Sequence, residues 1–345
     1  MSTTFRVGLT RDFLKPDGSL GFGDIGLALL DAEPSVSWEF LPVAASELGP
    51  DDVRGYDALL ALAPRITERT LSGDRCPLII ARFGVGYDNV DVDACTRHDV
   101  VLTITPDGVR TPVAVSALAF LLALSHQMFA KDRLTRSGRW SEKLDYMGRG
   151  LTGRTLGIVG LGNIGRELST VARPLGMHHL AHDPWVQPEQ AAALGIELVG
   201  LDELFSRADF IVLCCALVPE TRHLVNAARL ALMQPTACLI NVARGPVVDQ
   251  RALTEALRER RIGGAALDVF EQEPIDPNDP LLALDNVILA PHAICWTDEL
   301  FLGVGRSACQ SIVDIARGQV PQHVVNRAVL ERPSFQERLA RYLRG

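Results

Sequence analysis

Short β-type runs, separated by polar or helical stretches, recur along this 345-residue chain in two series. The first covers residues 5–10, 36–41, 58–63, 78–82 and 100–104; the second covers 155–160, 178–183, 209–215, 238–242, 265–269 and 287–290. Alternation of such runs with helical or polar stretches argues for a parallel sheet with covering helices. The pattern predicts an α/β chain with two doubly wound bodies. Between the series, residues 105–112 read Thr-Pro-Asp-Gly-Val-Arg-Thr-Pro, which predicts a turn and then a helix from Pro112 onward, carrying the chain from one body to the other. A helical pattern resumes after residue 292, through 298–317. The glycine-rich segment 18–26 predicts a surface loop.

The second series opens on a strand followed by Gly160-Leu-Gly-Asn-Ile-Gly165, with Ile164, Leu168 and Val171 at helical spacing behind it. A glycine triplet in that setting is a dinucleotide fingerprint. Gly160 permits the tight turn, Gly162 lets backbone approach a pyrophosphate, and Gly165 allows close helix–strand packing. The helix that follows directs free N–H groups and a positive dipole end at the phosphates. Asp183 closes the second strand, where a carboxylate accepts from ribose hydroxyls and repels a 2′-phosphate. The residues after it, Pro184 and Trp185, supply no arginine, so NAD is expected in preference to NADP.

Arg244, Glu273 and His292 each follow a strand of this second series, near the carboxyl edge where open α/β sheets bind ligands. An arginine offers a fixed charge and a planar fork suited to a carboxylate and an adjacent carbonyl. A histidine shuttles a proton near neutral pH, and a glutamate beside it orients the ring and favours the charged form. In the first body, Phe83-Gly-Val-Gly-Tyr-Asp-Asn-Val-Asp91 has the glycines that a nest of anion-binding N–H groups requires.

Composition narrows the partners. A net charge of −8 and no block of Lys/Arg argue against nucleic acid or an anionic membrane. The apolar stretch 113–124 is short for a bilayer and interrupted by Ser116, which predicts a buried helix. The N-terminus lacks a secretory apolar region, and a cytoplasmic protein is expected. Seven cysteines without C-x-x-C or zinc-type spacing suit a reducing compartment, with Cys214-Cys215 read as core filler, and no metal site is assigned.

Asn241-Val-Ala-Arg-Gly245, Leu267-Asp-Val-Phe-Glu-Gln-Glu-Pro274 and Pro291-His292, together with the glycine fingerprint, resemble the D-isomer-specific 2-hydroxyacid dehydrogenases over nearly the whole chain. The resemblance implies a Rossmann NAD-binding domain inserted in a flavodoxin-like substrate domain, with boundaries at 1–108, 109–299 and 300–345, and a cleft that closes over substrate. It selects Glu273 over Glu271 as the acid before the proline, and argues against formate, whose dehydrogenases carry Gln there. It adds Asn163, Ile164, Ala216 and Val242 to the cofactor site and assigns Asp268 to the nicotinamide amide. Arg82, Val85, Gly86, Arg244 and Trp296 become substrate contacts, with Arg82 matching an arginine of some phosphoglycerate dehydrogenases. The implied partners are a small 2-oxoacid or 2-hydroxyacid and a second copy of the chain. The expected substrate is of the glyoxylate or hydroxypyruvate type, with 3-phosphohydroxypyruvate as the alternative, and an NAD(H)-sensing corepressor is the competing class. Val115-Ser116 and Ala216 depart from the family's common Glu-His and Pro.

Overall fold

The structure is a computed structural model that describes residues 4–73 and 75–343. The chain forms two compact units, Met1–Val109 with Trp296–Gly345, and Arg110–Cys295.

The first unit is built on a five-stranded parallel sheet of β1 (Phe5–Leu9), β2 (Val36–Phe40), β3 (Ala58–Ala61), β4 (Ile79–Arg82) and β5 (Val101–Thr103), in the order β2-β1-β3-β4-β5. The central strand β3, Ala-Leu-Leu-Ala, is buried at every position, whereas the edge strand β2 alternates partly buried and exposed residues. That difference follows from coverage on both faces at the centre and on one face at the edge. The helix Asp298–Ala316 brings the returning chain back against this sheet with Leu300, Phe301, Val304, Ala308 and Ile312 buried. Its start is capped by Thr297, whose side chain accepts from the Leu300 N–H. Further on, the buried Asn326 side chain accepts from the Leu102 N–H at 2.9 Å and donates to the Val100 carbonyl at 2.8 Å, tying the C-terminal segment to β5.

The second unit holds seven parallel strands: β6 (Thr155–Val159), β7 (His178–His182), β8 (Glu197–Leu198), β9 (Phe210–Leu213), β10 (Cys238–Asn241), β11 (Gly264–Leu267) and β12 (Val287–Leu289), ordered β12-β11-β10-β9-β6-β7-β8. The two-residue period of a strand sorts their apolar residues onto two cores. Ile211, Leu213, Leu239, Ala265 and Leu267 pack on one face with the amphipathic helix Gln250–Arg258. Ile158, Phe210, Val212, Ile240 and Ala266 pack on the other with Ala114, Ala117, Phe120 and Leu121 of the helix Pro106–Ser125. Strand order reverses between β6 and β9, the position where sheets of this kind bind nucleotides.

Three sequence expectations need adjusting. The connecting helix begins at Pro106 and not at Pro112, because Pro106 occupies the first turn, where its missing N–H costs nothing, and Pro112 is carried inside the helix. Gly108 explains why this turn is helical: a Cβ there would lie 2.3 Å from the Val304 nitrogen, so close helix–helix packing holds it. The return to the first unit falls at Cys295/Trp296, ahead of residue 300, since the Trp296 ring packs on rings of that unit. Strand β8 was not expected from the sequence. The connecting helix is long and apolar enough to cross a membrane by composition, but 56% of that window is buried inside the protein.

Candidate active site

The turn after β6 is shaped by its glycines. Gly160 has φ +93°, and a Cβ on it would come 2.7 Å from the Cys215 nitrogen; at Gly165 a Cβ would come 2.2 Å from the Gly160 carbonyl oxygen. Both positions therefore need glycine for the fold itself. Gly162 differs, because a Cβ there would meet nothing within 4 Å. The space over it is open, as a closely approaching pyrophosphate requires. The helix Asn163–Ala172 starts directly behind, and its opening N–H groups, including those of Asn163 and Ile164, have no intrahelical acceptors. Asp183 braces this turn: one carboxylate oxygen accepts from the Leu161 N–H at 2.8 Å and the other from the Trp185 N–H at 2.9 Å. Ala216 lies exposed just past β9, and Val242 is half-buried just past β10. These features fit an NAD molecule laid across the β6–β9 reversal.

Three loops at the carboxyl ends of β10, β11 and β12 carry the candidate catalytic side chains. After β10, the buried Asn241 side chain accepts from the Ala243 N–H and donates to the Arg244 carbonyl, both at 3.0 Å, which fixes the turn presenting Arg244. The Arg244 guanidinium donates to the Ala243 carbonyl at 2.8 Å. Gly245 follows because nothing larger fits: its Cβ would fall 1.7 Å from the Phe270 carbonyl oxygen, so the loops after β10 and β11 are pressed together.

Glu273 is held by two contacts. One carboxylate oxygen accepts from the Phe270 N–H at 3.0 Å and the other lies 2.7 Å from His292 Nδ1. Burial pushes the Glu273 carboxyl up, but the hydrogen bonds from His292 and Phe270, with the charges of His292 and Arg244, outweigh it and hold the acid below its ordinary range. Against an ionised Glu273, His292 donates through Nδ1, and the contact with Glu273 does not engage Nε2. His292 sits at φ +55°, a left-handed backbone that costs roughly 1–3 kcal/mol for a residue with a side chain. Asp268 holds it there. The Asp268 carbonyl accepts from the His292 N–H at 2.8 Å, and Asp268 Oδ1 accepts from Ala293 and Ile294 at 2.8 and 3.0 Å. Burial raises the Asp268 carboxyl, partly offset by those two N–H groups.

Two of these supports were not anticipated. Asp268 is expected at the cofactor, and the structure shows its carboxylate clamping the backbone that follows His292. Ser116, a departure from the family's usual residue, shares its single hydroxyl proton between the Pro112 carbonyl at 2.8 Å and the Ile294 carbonyl at 3.2 Å, linking the same loop to the connecting helix. Neither contact has a local sequence signal, since each joins residues far apart in the chain.

The remaining expected site residues belong to the first unit. Val85 and Gly86 are half-buried on the loop after β4, where Gly84 has φ +132° and its N–H reaches the Thr105 hydroxyl at 3.0 Å. Arg82 turns its guanidinium back onto the Phe83 carbonyl and against Gly84, so it supports this loop. Trp296 is 53% exposed and packs edge-on against Phe22 and Phe301.

Residues 118–293 match the family model for the D-isomer specific 2-hydroxyacid dehydrogenase NAD-binding domain. A glyoxylate reductase from Thermococcus onnurineus is 39% identical over 308 residues, covering 87% of this chain and 92% of that protein. A D-3-phosphoglycerate dehydrogenase from Synechocystis is 40% identical over 85% of this chain, which spans 53% of that relative's length. Among solved structures, D-lactate dehydrogenase from Aquifex aeolicus complexed with NAD and lactic acid superposes with a TM-score of 0.81 at 26% identity, over 93% of this chain and 99% of that one.

Proposed function

This chain belongs to the D-isomer-specific 2-hydroxyacid dehydrogenases, NAD-dependent oxidoreductases acting on CH–OH groups, and we propose that it interconverts a small 2-oxoacid and its D-2-hydroxyacid through Arg244, Glu273 and His292. The observation that carries this reading is the 2.7 Å contact between His292 Nδ1 and Glu273, which leaves Nε2 as the proton-exchanging atom. When bound, the nicotinamide supplies hydride transfer to C2 of the oxoacid. Arg244 grips the carboxylate and carbonyl oxygens and draws electron density from the C=O. His292 delivers the proton to that oxygen in reduction and removes it in oxidation, so one oxoacid, one NADH and one proton give one hydroxyacid and NAD⁺. Val85 and Gly86 serve the substrate carboxylate through backbone N–H groups.

Glyoxylate and hydroxypyruvate are the proposed minimal substrates, ahead of 3-phosphohydroxypyruvate. The names of the relatives support the first, and the engagement of Arg82 with its own loop argues against the phosphorylated acid. A panel of 2-oxoacids assayed by loss of NADH absorbance tests the reading; wild-type protein that turns over none of them would overturn it.

Asp183 is proposed to receive the adenosine ribose and to set the preference for NADH over NADPH. The Asp183→Asn variant, which removes the charge and keeps the shape, is expected to narrow that preference mainly through the KM for NADPH. Equal efficiency of the wild type with the two cofactors would sink the assignment.

A homodimer is proposed as well. What supports it is a concentration of exposed large apolar side chains, Met128, Phe129, Trp140, Leu144 and Met147, on the helix Met128–Arg136 and the turns after it. Leu144→Asp is expected to shift the molecular mass measured by light scattering from dimer to monomer. A wild type that is monomeric at assay concentration would refute the proposal.

A further inference from the structure

Five aromatic rings of the first unit converge on the carboxyl side of its sheet. Phe13 and Phe22 come from the segment after β1, Phe83 from the loop after β4, and Trp296 and Phe301 from the start of the helix Asp298–Ala316. Phe13 and Phe83 meet edge to face at 5.0 Å, and Phe83 stacks on Phe301 at 6.3 Å; these three rings are at most 9% exposed and form a closed floor. Phe22 stands over that floor, 4.7 Å from Phe301 and 6.0 Å from Phe13, and Trp296 leans on Phe22 at 5.2 Å with half its surface in solvent. The segment carrying Phe22 is the glycine-rich loop, in which Gly23 and Gly26 adopt φ +68° and +76°. A Cβ at Gly26 would meet the Arg306 nitrogen at 2.7 Å, so the loop is pinned at that end to the same helix that carries Phe301.

A large indole held half-exposed by other rings is not what a surface loop needs for stability. It is an apolar wall with one face open to solvent. Its location is informative. In a sheet of order 2-1-3-4-5 the strand order reverses beside β1, and ligands gather at the carboxyl ends there. Phe83 is also only two residues from Val85, where the proposed reading puts the substrate carboxylate.

We propose that these rings receive the C3 substituent of the substrate, and that the preferred 2-oxoacids carry an apolar, above all an aromatic, group at C3. This inference rests on the 2-oxoacid reading above. It keeps glyoxylate as a minimal substrate and adds that filling the aromatic wall improves on it. The faces of the rings carry negative quadrupole density and offer a phosphate nothing to bind. The cation closest in sequence, Arg82, is turned onto the Phe83 carbonyl.

The test is a matched series of glyoxylate, pyruvate, 4-methyl-2-oxopentanoate, phenylpyruvate and 3-phosphohydroxypyruvate with NADH and the full chain. The specificity constant is expected to rise with apolar bulk, phenylpyruvate exceeding glyoxylate by about tenfold or more, as is usual when added apolar groups fill an apolar site. Trp296→Ala and Phe22→Ala are each expected to lower the phenylpyruvate-to-glyoxylate ratio by about tenfold, chiefly through the KM for phenylpyruvate, and Trp296→Leu by less. Thermal melting identifies a variant that fails to fold, in which case Trp296→Leu decides. A wild type that prefers glyoxylate or 3-phosphohydroxypyruvate to phenylpyruvate, or variants that lose both acids in equal proportion, would overturn the inference while leaving the dehydrogenase reading intact. Failure with every oxoacid would instead bring down that reading, and this inference with it.

Discussion

A His292→Ala variant is expected to lose about a hundredfold or more of its 2-oxoacid turnover while binding NADH within about twofold of the wild type. On the proposed reading the imidazole acts on the oxygen being protonated, and because Nδ1 is committed to Glu273 at 2.7 Å, Nε2 is the atom that would do so. Alanine is itself strained at the φ of +55° that His292 adopts, so His292→Asn, which tolerates the left-handed region, is the partner variant that separates lost chemistry from a shifted loop. Steady-state rates and an NADH fluorescence titration read out both. Either variant keeping most of its turnover would end the proposed acid–base role. Glu273→Gln extends the test. The Glu273 carboxyl is held low, so an anion faces Nδ1 of the ring, and Gln removes that charge while keeping an acceptor in place. Glu273→Gln is expected to lower kcat for reduction by about tenfold or more with NADH binding within about twofold of the wild type, and an unchanged kcat would show that the charge plays no part.

Much of this architecture was legible because the chain repeats its signals. Each run of the two series became a strand, and all but 78–82 end a residue or two later than their strands do, since those last residues enter the loop and not the ladder. Strand β8 was not legible: Glu197–Leu198 is two residues at a sheet edge, too short to show a period and half polar. The connecting helix was misread at its start because Pro112 resembles a first-turn proline, and what keeps the preceding turn helical is the contact of Gly108 with Val304, 196 positions away by subtraction of their numbers.

At the site the division is similar. Arg244, Glu273 and His292 stand in local strings that single them out as candidates. The residues that aim them do not. Asp268 holds the His292 backbone through the Ala293 and Ile294 N–H groups, Ser116 reaches Ile294 from the connecting helix, and Asn241 fixes the Arg244 turn. Each could equally have been a cap, a cofactor contact or a buried polar side chain when read from the string alone. Asp183 shows the overlap most plainly, because the carboxylate expected at the ribose also accepts from Leu161 and so shapes the glycine turn before any ligand arrives.

Two glycine-to-alanine changes in the second unit should have opposite signatures, and the contrast separates a glycine needed by the fold from one needed by the cofactor. Gly245→Ala would put a Cβ 1.7 Å from the Phe270 carbonyl oxygen and 2.5 Å from the Glu271 nitrogen, both backbone atoms that cannot swing aside. The loops carrying Arg244 and Glu273 must then separate. Overpacking of this kind costs about 1–3 kcal/mol or more, so Tm is expected to fall by several degrees. A displacement of about 1 Å between reacting groups costs on the order of a hundredfold in rate, so kcat/KM should collapse even where the protein remains folded. Gly162→Ala adds a Cβ that meets no protein atom within 4 Å, at φ −75°, which any residue adopts. The fold should not register it, and Tm is expected to stay within about 1 °C of wild type, because a substitution that touches nothing usually costs little. The added methyl instead occupies the open space over the turn, where the pyrophosphate must come close to the backbone, so the KM for NADH should rise about tenfold or more. If Gly162→Ala binds NADH normally, the pyrophosphate does not cross this turn as proposed. If Gly245→Ala is as stable and as active as wild type, the two loops do not depend on their close contact to hold Arg244 and Glu273 in place.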